Sequence, residues 1–482
     1  MKRLVLSVAV TACLASPVEA VAQTDGYLLP CTAASQLGRG CTLLSGRGDP
    51  ATMLGNPAGL ASLGGRALSL NGAAFLPSLE YRNSANTTTV AGDGNVYPLP
   101  AVFYADRARG NLVLGVGAQT LGGMGADYTL THALLGANQR YHSKFGLMKG
   151  GIAAAYRASP KLSVGAMVGA FYGQVEFATP YAVSPSQLAG LAGLAQDPDY
   201  VPLLQNFTEA TAYAEMTGLS GFALTAGASI EYRPSPRVAV ALAYTAPATL
   251  TMGGGTAAMD MNAQFGQLYQ GMVAAKGGSA AVVDAQLASF GINLANGMAT
   301  QFGAEADFGI PQTLTLAIGA RPDARWGLGL DAGWIGWKNA FDEMPLRLTG
   351  GTNANINIMI NGSPTSDGFA TAWPLQWKDS WFVRAGAEYA ATPVLSLRGG
   401  AIYGANPVSS RGLFTIFPAI VQTAATGGLA YQVGRTTLHL TYAHTFASTQ
   451  QAASPHIVAQ EYANSTNTLS QNTFSFGASW RF

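Results

Sequence analysis

The chain holds five histidines, His132, His142, His439, His444 and His456. An acyl hydrolase would need one of them as a base beside a nucleophile. His439 is the best placed, on the same face of a strand-like run as Thr437 and Thr441. No G-x-S-x-G accompanies it, so a hydrogen-bonded structural histidine is expected instead. No metal-ligand spacing is present. Gly122-Gly123-Met124-Gly125 is glycine-rich but is followed by neither a Lys nor a helical pattern, which makes it a poor phosphate loop. An enzyme is therefore not expected, nor any cofactor. The remaining candidates are Arg157, Arg384 and Arg398, whose guanidinium groups suit a carboxylate ligand. Their internal alternatives are Glu231, Asp331 and Glu388.

Arginines like these act only if something holds them in a closed interior. Charged residues are 11% of the chain, against about 25% in an ordinary soluble domain. The net charge of +1 gives no footprint for nucleic acid. No uninterrupted apolar run long enough for a spanning helix follows the N-terminus. The remaining membrane architecture is a β-barrel, which crosses with about ten alternating residues. Export is supported by Lys2-Arg3, an apolar run from Leu4 to Leu14, and Ala20-Val21-Ala22 as a cleavage site, giving residues 1–22 as a signal peptide. Val10-Thr11-Ala12-Cys13 offers a weaker lipobox alternative. After cleavage only Cys31 and Cys41 remain, and an oxidising periplasm favours their pairing over two free thiols.

From residue 66 onward, large apolar residues alternate with small or polar ones, the period-two pattern of a strand with two unlike faces. Fourteen such segments follow one another to Phe482. Short connections at 106–111, 157–161, 233–237, 321–325, 391–394 and 433–436 alternate with long ones. Tight periplasmic turns and large outer loops predict this alternation. Arg157, Glu231, Asp331, Arg384, Glu388, Arg398 and Arg481 fall mainly on the small or polar face, and Leu314, Leu316, Leu395, Leu397, Leu438 and Leu440 on the other. The first face is then the lumen and the second meets lipid. Tyr156, Tyr232, Trp326, Trp334, Trp337, Trp381, Tyr389 and Trp480 lie near segment ends, as interfacial girdles require. Loops 184–216 and 257–298 are rich in Ala, Leu, Gln and Met, and each is predicted to form a pair of short helices. Leu203, Phe207, Phe265 and Met272 are their candidate ligand-contacting residues, with mutual packing as the alternative. The apolar stretch Asp49–Leu60, punctuated by Gly and Pro, precedes the first strand and is expected inside the barrel.

Three blocks carry a family resemblance. They are Asn56-Pro57-Ala58 within 48–60, the run from Ile310 through Trp337, and Trp377-Lys378-Asp379-Ser380-Trp381 continuing to Tyr389. In order, and over essentially the whole mature chain, they resemble the FadL/TodX outer-membrane transporters of long-chain fatty acids and other hydrophobic compounds. The resemblance implies an all-β, fourteen-stranded antiparallel barrel over 66–482, closed by an N-terminal hatch over 23–65 that contains Asn56, Pro57 and Ala58. It implies capture of a hydrophobic ligand between the two helical loops, an inner pocket, and sideways exit beside a kinked third strand. Gly115, Gly117, Gly122 and Gly123 are candidate positions for that kink. A monomer in the bacterial outer membrane is implied, among lipid and lipopolysaccharide and inserted by the barrel assembly machinery. An adhesin-like barrel and a general porin are the alternatives; a plug and apolar loops argue against a porin.

Overall fold

The computed structural model describes residues 25–44, 48–205 and 207–482. The expected signal peptide, 1–22, lies outside them. Fourteen antiparallel strands close into a barrel. They are β1 Ala67–Arg82, β2 Tyr97–Arg109, β3 Leu112–Thr131, β4 Asn138–Arg157, β5 Leu162–Val183 and β6 Ala210–Ser235. Four interrupted strands follow. These are β7 (Val238–Thr245 and Ala248–Asp260), β8 (Ala299–Ile310 and Thr313–Ala320), β9 (Trp326–Ile335 and Glu343–Thr349) and β10 (Phe369–Pro374 and Ser380–Ala390). The last are β11 Leu395–Gly404, β12 Thr423–Val433, β13 Thr436–Gln451 and β14 Thr466–Arg481. β14 returns to β1, from Ala67↔Arg481 to Arg82↔Thr466, so the sheet closes on itself.

Side-chain sorting fixes the orientation of the wall. Phe222, Leu224 and Phe476 are 70%, 85% and 65% exposed on the outside. Glu231, Asp331, Ser475 and Thr441 are buried inside. Burying charges in lipid is costly, so the polar face turns inward.

Several elements differ from expectation. Strands β3 and β4 reach Thr131 and Asn138, so much of the segment that reads as loop is paired strand standing above the membrane. In loop 184–216, Ala189–Leu194 and Val201–Gln205 are helical, but 210–216 already belongs to β6. In loop 257–298, Asn262–Ala275 and Ala280–Ser289 form the helical pair, while 257–260 ends β7. Trp337 is not a girdle residue: it is fully buried in the lumen. The reason is the break in β9, where Trp337–Ala340 forms a helical turn directed inward. The break in β10 likewise sends Leu375 and Trp377 inside. A buried helix, Ala354–Asn361, occupies the β9–β10 loop.

Candidate ligand-binding site

The N-terminal segment lies within the barrel. Its short helix, Ala34–Leu37, is flanked by a disulfide between Cys31 and Cys41, whose Cα atoms are 5.5 Å apart. Two tight turns follow, Pro50–Leu54 and Pro57–Ser62. Each opens on a proline, whose fixed φ suits the first turn position. Asp49 caps the first by accepting from the amide of Ala51 at 3.0 Å. Asn56 joins them: its amide donates to Thr52 O at 2.7 Å and its carbonyl accepts from Gly59 N at 3.0 Å. Ala58 N donates to Ser229 Oγ on β6 at 2.8 Å. The Asn56 side chain is buried with neither polar atom partnered among the described residues.

Glycines in the wall admit this backbone. A Cβ at Gly165 of β5 would lie 2.4 Å from Ala58 N, and one at Gly386 of β10 would lie 1.9 Å from Arg39 O. Neither separation is sterically open to an alanine.

The three candidate arginines separate into different roles. Arg157 donates to Ala61 O, at the end of the second turn, where a cation suits the unpaired carbonyls. Arg398 donates to Glu388 Oε2 at 2.6 Å and bonds His439 at 2.9 Å, on the periplasmic side of the hatch. Only Arg384 borders the central cavity. It pairs there with Asp25 and stacks on Phe382, its guanidinium carbon 3.9 Å from the ring centroid.

That cavity, about 120 Å³, is bounded by Leu54, Lys149, Phe171, Phe382, Arg384 and Asp25, among others. Lys149 is buried and donates to Leu54 O at 3.0 Å. It has no carboxylate partner among the described residues. Lys149 and Phe171 also border a groove of about 310 Å³ on the lipid face, lined by Val102, Val116, Ala118, Met148, Tyr172 and Phe222. Lys149 escaped the sequence reading, although it lies eight positions before Arg157 on the same strand and shares its inward parity.

Beside the cavity, Tyr27 fills an aromatic box. Its ring is 5.3 Å from Phe145, 4.7 Å from Trp337, 5.6 Å from Phe341 and 6.1 Å from Trp377. Its hydroxyl donates to Gly309 O at 2.6 Å. The breaks in β9 and β10 supply three of the four rings. The backbone of the same residue seals a gap in the wall. β2 pairs with β3 only as far as Ala101↔Gln119, while β3 runs on to Thr131. Pro98 and Pro100 in β2 have no N–H to extend that ladder. Beyond it, Gly123 N donates to Tyr27 O at 2.8 Å and Leu29 N to Leu121 O at 2.8 Å. The β3–β4 register shifts here, between Thr120 and Gly122.

The outer end is closed as well. Leu413, Phe414, Ile416, Phe417, Ile420 and Val421, in the β11–β12 loop, are buried. Phe417 packs edge-on against Phe177 at 5.4 Å and Phe308 at 6.2 Å. Above it, a mouth cavity of about 320 Å³ is lined by Leu188, Met259, Met261, Ile360 and Phe369. Leu203, Phe207, Phe265 and Met272 lie elsewhere. Leu203 stands over Gly271, Met272 is fully buried, and Phe207 and Phe265 are half-buried against the same core, so the four hold the two helical loops together. Lys276 ties those loops through Asp197 and Asp199, both at 2.7 Å. In the adjoining β13–β14 loop, burial pushes Glu461 up to about 8 and His456 down to about 4. His439 is a satisfied lumen histidine, bonded to Arg398 and, at 3.1 Å, to Ser479.

A closed barrel with a hatch and greasy cavities at two levels has counterparts among known proteins. The family model described as "Outer membrane protein transport protein (OMPP1/FadL/TodX)" matches residues 15–482. The chain belongs to the FadL/TodX family. It is an outer-membrane β-barrel, and the family is one of transport channels for hydrophobic compounds. No functionally curated protein matches the sequence significantly. Among solved structures, a Pseudomonas aeruginosa FadL homologue superposes with a TM-score of 0.70 at 16% identity, covering 94% of this chain and 99% of its own. The P. putida toluene transporter TodX gives 0.67 at 17%, covering 95% and 99%. The Ralstonia pickettii toluene transporter TbuX gives 0.63 at 20%, covering 94% and 99%. At these identities the likeness is one of FadL/TodX fold.

Proposed function

We propose that the barrel takes up hydrophobic small molecules passively, long-chain fatty acids first among them, and releases them sideways into the membrane. The observation that carries this reading is the double role of Tyr27. Its ring occupies an aromatic box beside the central cavity, and its carbonyl holds the β3 edge that β2 leaves bare. A ligand that takes the box displaces the ring, frees the edge, and opens the wall beside itself. Sideways release suits an apolar molecule, which then never crosses the polar lower lumen. For a fatty acid, Lys149 supplies a buried ammonium group that donates to the Leu54 carbonyl and has no carboxylate partner among the described residues, so a ligand carboxylate replaces that bond with an ion pair.

The phenol ring in the box supports a second ligand class, single-ring aromatics. The toluene transporters TodX and TbuX share the fold. A general porin fits poorly, since the lumen is blocked by the hatch below and by the 413–421 segment above. The test is uptake into a strain lacking its own transporters, with labelled long-chain fatty acid, labelled toluene and a small sugar. Entry of either hydrophobic tracer without the sugar is expected. Entry of the sugar alone contradicts the proposal.

A further inference from the structure

A polar vestibule of about 530 Å³ lies on the opposite, periplasmic side of the hatch, between Arg39 and Asp49 of the hatch and Arg321, Glu388, Arg398 and Arg481 of the wall. Four guanidinium groups thus face two carboxylates. Both carboxylates are already engaged. Glu388 Oε2 accepts from Arg39 at 3.1 Å and from Arg398 at 2.6 Å. Asp49 accepts from Ser35 Oγ at 2.5 Å and from Ala51 N, with Arg39 a further 3.6 Å away. Arg321 and Arg481 have no side-chain acceptor among the described residues, and Arg321 Nε is buried. Arg481 sits at the hatch border, its Nη2 next to Gly48.

Half-buried Arg321 and exposed Arg481 add positive charge beside carboxylates that are already engaged, and an anion between them relieves the repulsion among the four guanidinium groups. Guanidinium forks match the paired oxygens of a phosphate or carboxylate. His439 and Ser479 line the same space and add hydrogen-bonding groups. Apart from Trp480 and the exposed Arg481 at the strand end, the lining is inward-facing wall and hatch, so the occupant comes from the periplasm and not from a lipid headgroup. We propose that this vestibule is a binding site for a small oxyanion of the phosphate type. The bound anion bridges the hatch, through Arg39, to the wall, through Arg321 and Arg481. It is separate from the hydrophobic path and stands or falls independently of it.

The test is calorimetric titration of the full chain in detergent with inorganic phosphate, against sodium chloride at matched ionic strength. Saturable 1:1 binding is expected, weakened about tenfold in Arg321→Gln and in Arg481→Gln, with each barrel checked by its heat-modifiable gel migration. Should Arg321→Gln fail to assemble, Arg481→Gln, at an exposed strand end, carries the test alone. The absence of a saturable phosphate signal above chloride overturns the proposal. So does unchanged phosphate affinity in the assembled variants.

Discussion

The carbonyl of Tyr27 accepts a hydrogen bond from the amide of Gly123 at 2.8 Å, while the ring of Tyr27 stands 4.7 Å from Trp337. One residue thus closes a wall with its backbone and fills a pocket with its side chain. A ligand must compete with it for the pocket.

Replacing Tyr27 by Ala removes that competitor. Apparent affinity is the intrinsic affinity reduced by the fraction of open pockets. An aromatic ring contributes about 2 kcal/mol on burial, so a hydrophobic ligand should bind Tyr27→Ala up to about thirtyfold more tightly. Tyr27→Phe keeps the ring and loses only the bond to Gly309 O, so its gain should be smaller. Quenching of the Trp337 and Trp377 fluorescence on titration reads both. Weaker binding by the Ala variant would count against a self-occupied pocket.

Lys149→Met should separate acidic from neutral ligands. A charge-assisted bond contributes about 1.5–3 kcal/mol, so palmitate binding should fall about tenfold or more. Binding of a long-chain alcohol should change little, because the apolar stem is kept. Equal losses for both ligands would assign Lys149 to packing alone.

Gly165→Ala and Gly386→Ala should unseat the hatch without unfolding the barrel. Each new methyl group meets hatch backbone, at 2.4 Å and 1.9 Å, and forced overpacking costs about 1–3 kcal/mol. Limited proteolysis should cut the hatch in both variants while the barrel retains its heat-modifiable migration. A hatch as resistant as in the parent protein would show that the wall yields instead.

The outer loops should carry a pH dependence centred on Glu461. Tyr141 donates to its carboxyl at 2.6 Å, and His132 Nε2 lies 3.4 Å away. Burial pushes Glu461 up to about 8 and His132 down to about 4, so both are neutral at neutral pH. A raised acid favours the folded loop fully below its ordinary value of 4.5. That stabilisation is lost as pH rises to about 8, by about 1 kcal/mol per unit. His132 and His456 act in the opposite sense, losing stability only below their ordinary 6.5. The comparison therefore belongs between pH 6.5 and 8. There, protease protection of the β13–β14 loop should decline in the parent and stay level in Glu461→Gln. Parallel declines would exclude Glu461 as the cause.

The barrel was legible because lipid imposes a strict alternation. Phe222 and Leu224 outside, with Thr225 and Glu231 inside, give the period directly. What alternation cannot convey is where a strand breaks. Trp337 reads like any interfacial Trp, and only the turn Trp337–Ala340 carries it into the lumen. Arg157, Arg384 and Arg398 all face inward, yet the partners of the first two, Ala61 and Asp25, lie on hatch segments far away in sequence, whereas Arg398 pairs within the wall with Glu388 and His439. Tyr27 and Asp25 precede any periodic pattern, so their place in the site depends wholly on tertiary contacts. Residues 413–421 are apolar but carry no period that distinguishes a lid from a strand, and only the tertiary contacts of Phe414 and Phe417 make them a lid.

Hydrogen exchange at the Gly123 amide reads the opening of the wall itself, because that amide is held by Tyr27 and not by a neighbouring strand. The purified protein is compared without ligand and with saturating palmitate or toluene, and the β1–β14 seam around Ala73↔Ser475 serves as the internal reference. Loss of Gly123 protection in the presence of ligand, with the seam unchanged, is the predicted result. Protection that stays constant or rises with bound ligand would contradict a pocket that opens the wall.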